Sequence, residues 1–115
     1  MSDARLRQLR IKSGVVKRLA KEKVTYEKEA TEQHEKIQKL KEQNKDSHVI
    51  KKQEEVLQES LMMIPDCQRR LLKAFEDLKR VLSTEEDLKE SEEYIDAEEA
   101  LKTAEPQLMK NSSNI

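Results

Sequence analysis

His34, His48 and Cys67 are the side chains best suited to metal binding or nucleophilic chemistry, and their placement argues against both. The histidines fall on different predicted helices with no Cys or His at ligand spacing, so no zinc site is expected. Cys67 occupies an inward heptad position, where an inert buried thiol is the ordinary reading. Gly14 is the only glycine, so no glycine-rich loop is available to cradle phosphate. Carboxylates crowd the last third, but general acid–base work needs a desolvated pocket, which a thin helical bundle seldom offers. The chain reads as no enzyme, with no cofactor and no metal.

Apolar residues outside the core pattern carry more information. Met62 falls opposite the predicted core with Met63 beside it, and Arg69 and Arg70 follow two turns later. Methionine with arginine is favoured in interfaces over general surface. Leu72, Val24 and Ile11 also lie off their main seams.

The elements that carry these residues follow from spacing. Ile50, Leu57, Ile64, Leu71 and Leu78 repeat every seven residues, which puts one large side chain on the same helix face every two turns. Pro65 lies inside that run. Its missing N–H and its ring cost a helix roughly 3 kcal/mol or more. A register kept on both sides predicts one long helix, bent at Pro65, over about 48–82. An earlier stripe of Leu9, Val16, Leu19, Tyr26, Ala30, Ile37 and Leu40 predicts a first helix over about 3–43, capped by Asp3. Lys12, Lys23 and Gln33 share its seam, which predicts looser packing there, with long stems reaching outward. Asp46 or Ser47 is expected to cap the second helix. Ser83 with Glu86 forms a capping-box pattern for a third, over about 84–105, with Thr84 able to cap one residue later and Pro106 ending it. Residues 106–115 read as a disordered tail. The fold class is therefore all-α, an up-down-up three-helix bundle formed by residues 1–105.

Charged residues make up 41% of the chain and aromatics 3%, which disfavours a sheet protein and suits long amphipathic helices. Residues 1–44 hold 12 Lys and Arg against 7 Asp and Glu, and residues 83–115 hold 3 against 10. A basic first third and an acidic last third complement each other if they lie side by side. That reading outweighs nucleic-acid binding, because the basic third lacks interleaved aromatics. No apolar stretch is long enough to span a membrane. A single cysteine suits a reducing compartment, so a soluble cytosolic protein is expected. Asn111-Ser112-Ser113 matches a glycosylation sequon, read as accidental.

Two stretches resemble the tubulin-binding cofactor A family. One runs from Leu9 to Leu19 (LRIKSGVVKRL) and continues through KEKV at 21–24 and YEKEA at 26–30. The other, LQESLMMIPDCQRRL from Leu57 to Leu71, is similar to the family's central helix, Pro65 included. The likeness extends over about residues 5–104, weakening near 42–48 and in the last helix. It implies a spectrin-like bundle that captures β-tubulin after chaperonin release and passes it toward other tubulin-folding cofactors. It leaves monomer and homodimer both open. On that footing the expected partner contacts are Met62, Met63, Arg69, Arg70 and Leu72 near the bend. Ile11, Lys12, Lys17 and Arg18 form a second, basic patch. The alternative is a dimeric coiled-coil adaptor without chaperone activity.

Overall fold

The computed structural model describes residues 3–110, which form three α-helices and one 3-10 turn, with no strand among them. Helix α1 runs Ala4–Glu42, α2 runs Ser47–Thr84 and α3 runs Glu92–Met109. Asp3 caps α1, accepting from the Arg5 amide at 2.9 Å, and Asp46 caps α2, accepting from the His48 amide at 2.7 Å. Such carboxylate oxygens fill donors that the first turn of a helix leaves unpaired. Between them, Asn44 adopts φ 55°, a left-handed conformation that asparagine tolerates better than most residues. This lets the Lys45 amide reach back to the Leu40 carbonyl at 3.1 Å and close α1.

Helix α2 is continuous through Pro65. Its buried side chains begin only at Ile64 and continue as Cys67, Leu71, Leu78 and Leu82. Cys67, Leu71, Leu78 and Leu82 pack with Leu9, Val16, Leu19 and Ala20 of α1 and with Tyr94, Ala97, Ala100 and Ala104 of α3. The start of α1 meets the end of α2, where Arg5 holds Glu85 and Asp87 at 2.8 Å each. The later part of α1 meets the early part of α2, where the Gln33 amide donates to Gln53 Oε1 at 2.7 Å.

Helix α3 departs from expectation at both ends. Ser83 and Thr84 do not cap it; they belong to α2, and their hydroxyls donate to the Arg80 and Val81 carbonyls at 2.7 and 3.0 Å. Hydroxyls can serve either helix end, and here they close one. Ser91 is the actual cap, accepting from the Tyr94 amide at 3.1 Å, so the helix starts at Glu92 and not near 84. Nor does Pro106 stop it. Proline's φ suits a helix, and Leu108, four residues past Ala104, still packs on the core. The helical segment 106–109 corrects the tail expected from 106; residues 111–115, with the sequon, lie outside the described residues.

The last turn of α3 needs donors for its free carbonyls, and its neighbours supply them. Lys23 Nζ donates to the Gln107 carbonyl, and Gln68 Nε2 donates to the Leu108 carbonyl at 2.9 Å. Lys23 is therefore fully buried rather than reaching outward. Burial is the main cause pushing its amine below the ordinary lysine value. The earlier expectation failed because an apolar seam can hold a lysine whose ammonium finds a helix-end carbonyl.

Gly14 sits inside α1 on the exposed side, and a Cβ built there meets nothing within 4 Å. It serves no close approach and simply adds backbone entropy to the unfolded chain. Gly14→Ala should therefore raise unfolding stability by roughly 0.5–1 kcal/mol. A urea titration checks this; a loss of stability would contradict it.

Candidate functional site

An open groove of about 620 Å³ with an apolar floor lies between α1 and α2. Ile11, Val15 and Leu19 of α1 and Ala74 of α2 line it, with Gln8, Lys12, Arg70, Lys73, Glu76, Asp77 and Arg80 around them. The apolar residues recur at steps of four along α1, so one helix face supplies them. Four of the charged side chains are cationic and two anionic, leaving the rim positive. Lys12 bridges to Asp77 at 2.5 Å, and Arg80 reaches the same carboxylate at 3.4 Å. The Lys12 hydrogen bond holds Asp77 below the usual carboxylate range. Just outside, Arg69 and Arg70 both reach Asp66, at 3.4 and 3.2 Å.

The structure gathers some expected contact residues and separates others. Ile11, Lys12 and Arg70 line this one groove. Met63, seven residues before Arg70, falls on the same side of α2 by helical repeat. Met62 is 70% exposed, and Leu72 and Arg69 are also exposed, but none of these three lines the groove. The basic patch on α1 does not hold together. Lys17 turns to Asp96 of α3 at 3.1 Å, while Arg18 lines a separate small hollow with Lys21, Glu22 and Tyr26. The reason is geometric: the five residues from Lys12 to Lys17 turn an α-helix by about 500°, which places them on different flanks.

Several residues of this face were missed: Val15, Lys73, Ala74, Arg80, Val49 and Val56. A signal for the valines was present. Val49, Val56 and Met63 repeat every seven residues, one position ahead of the Ile50, Leu57, Ile64 seam, and are 47%, 42% and 37% exposed. Two adjacent heptad stripes widen the apolar face of this stretch, and the one at Val49, Val56 and Met63 stays exposed.

Comparisons with known proteins point to one family. The sequence profile of the tubulin binding cofactor A family matches residues 4–101. The chain belongs to that family. It is 61% identical over 97 residues to the tubulin-specific chaperone A of Homo sapiens, covering 84% of this chain and 90% of the human one. The solved structure of human tubulin chaperone cofactor A aligns with a TM-score of 0.77 at 55% identity, covering 88% of this chain and 98% of that one. Tubulin folding cofactor A of Arabidopsis thaliana aligns at 0.81 and 41% identity, covering 90% and 97%.

In this member of the cofactor A family the chemically distinctive groups lie apart or buried. Among the described residues no group of three His, Cys, Asp or Glu side chains is placed to hold a metal ion. His34 and His48 are exposed on separate helices. Cys67 is fully buried, its Sγ 3.4 Å from the Leu19 carbonyl, and burial is the main cause raising its pKa. Since the thiolate is the reactive form, the thiol is doubly protected. Iodoacetamide at pH 8 should label Cys67 at least tenfold more slowly in the folded protein than in urea, read by mass spectrometry. Equal rates would contradict the sealed packing.

Proposed function

We propose that this chain captures free β-tubulin after its release from the chaperonin, holds it, and passes it to other tubulin-folding cofactors for pairing with α-tubulin. Membership of the cofactor A family carries this reading. The rod's surface supports it in kind: apolar side chains at Met62, Met63, Leu72, Val49 and Val56 lie exposed among charges. A mixed interface of moderate size binds and still lets go, as a carrier requires. The work is non-enzymatic and takes place in the cytoplasm and around the cytoskeleton. Met62, Met63, Arg69, Arg70, Leu72, Ile11, Lys12, Lys17 and Arg18 are the contacts we assign to the partner. Lys17 also pairs with Asp96, and its side chain stays half exposed.

We read the architecture as an up-down-up bundle. The ladder Arg5–Glu85, Lys12–Asp77 and Gln33–Gln53 supports the first turnabout. Arg10–Glu93 and Lys17–Asp96 support the second. A bend of α2 at Pro65 is supported by the N–H that proline lacks, which leaves the Leu61 carbonyl without its helical donor. A second reading, a dimeric coiled-coil adaptor, draws on the exposed stripe Val49, Val56 and Met63.

Capture from a mixture of isolated tubulin subunits tests the first reading. The tagged chain should retain β-tubulin and not α-tubulin. Met62→Glu with Met63→Glu should lower that retention about tenfold, a loss of about 1.4 kcal/mol, with unchanged helical circular dichroism. Equal retention of both subunits, or self-association without tubulin retention, would overturn it.

A further inference from the structure

We infer that the open face between α1 and α2 seats an acidic amphipathic helix of β-tubulin, one with small residues along its seam and carboxylates beside them; this rests on β-tubulin being the partner. The chain already contains the precedent. On the other flank of the same pair lies α3, a helix of that very composition. Its Ala97, Ala100 and Ala104 are 0–2% exposed. Its Glu93 and Asp96 reach Arg10 and Lys17 of α1 at 3.6 and 3.1 Å. Small seam residues let helix axes approach closely, and flanking carboxylates fix the register.

The unfilled face offers matching terms. Ile11, Val15 and Ala74 give it a shallow apolar floor, with Ile11 49% exposed. Lys73 and Arg80 stand seven residues apart, so their cations repeat along one line of α2 every two turns, about 10.5 Å. Lys73 has no ion-pair partner among the described residues, and Arg80 shares Asp77 with Lys12. That excess positive charge calls for carboxylates on the occupant and rejects a basic segment. From Arg70 an exposed stripe continues away from the cations at the same spacing as Met63, Val56 and Val49. From Val49 to Arg70 it spans roughly 32 Å. A helix suits so long a groove, because its backbone donors and acceptors are satisfied internally and only side chains need meet the floor.

Site-specific photo-crosslinking in the full chain tests this. A photoreactive residue is placed at Val15 in one variant and at Val56 in another, each is bound to isolated β-tubulin, and cross-linked peptides are identified by mass spectrometry. Both probes should mark one helical β-tubulin segment of net negative charge. Lys73→Glu with Arg80→Glu should reduce retention at least tenfold while helical content is kept. Retention with cross-links to loops, strands or basic segments, or to a second copy of this chain, would overturn the inference while leaving the capture role standing. Failure of the unsubstituted chain to retain β-tubulin would overturn both.

Discussion

A third helix of 18 residues cannot cover a pair whose members run 39 and 38 residues, and that mismatch decides which apolar side chains stay wet. At 1.5 Å per residue α3 is about 27 Å long against roughly 58 Å for α1. Its contacts run from Arg10 to Glu27 on α1 and between Leu82 and Gln68 on α2. Beyond its end, α2 has no buried residue before Ile64 and α1 none after Ile37. The core is therefore concentrated in one part of a rod 65 Å long. The remainder is held by a thinner seam of half-buried Ile50 and Leu57, helped by the Gln33–Gln53 hydrogen bonds.

The point where α3 stops is chemically marked. A helix end against protein needs donors for its last carbonyls, and burying a lysine needs an acceptor for its ammonium. Lys23 meets both requirements at Gln107, with Gln68 serving Leu108 beside it. Lys110 adds a longer contact to Glu27 at 3.5 Å. Charge works in the same direction along the flank, where the basic start of α1 faces the acidic last third through Arg5, Arg10 and Lys17. Exposed pairs of this kind contribute little each, so they orient α3 more than they stabilise it.

Periodicity made the helices, the Asp3 and Asp46 caps and most core positions legible, because burial on a helix repeats every three to four residues whatever else the chain does. The start and end of α3 were not legible. Ser83, Thr84 and Ser91 are all able to cap, and which of them accepts from an amide depends on where the chain turns. Proline at 106 reads as a stop unless the neighbours that hold the next carbonyls are known. Lys23 read as a surface residue for the same reason. The groove between α1 and α2 was half legible: Ile11, Lys12 and Arg70 drew notice from the sequence, while Lys73 and Arg80 look like ordinary solvated charges until α1 is laid beside them. Of the side chains singled out for possible chemistry, His34 and His48 lie on separate helices and Cys67 is buried.

Amide hydrogen exchange of the free chain, read peptide by peptide, tests the unequal coverage most directly. Amides of α1 between Leu9 and Glu27 and of α2 between Gln68 and Leu82 should exchange slowest. Those of 31–42 and 47–60 should exchange at least tenfold faster, since opening there disrupts only one helix–helix seam. Uniform protection along both long helices would contradict the account.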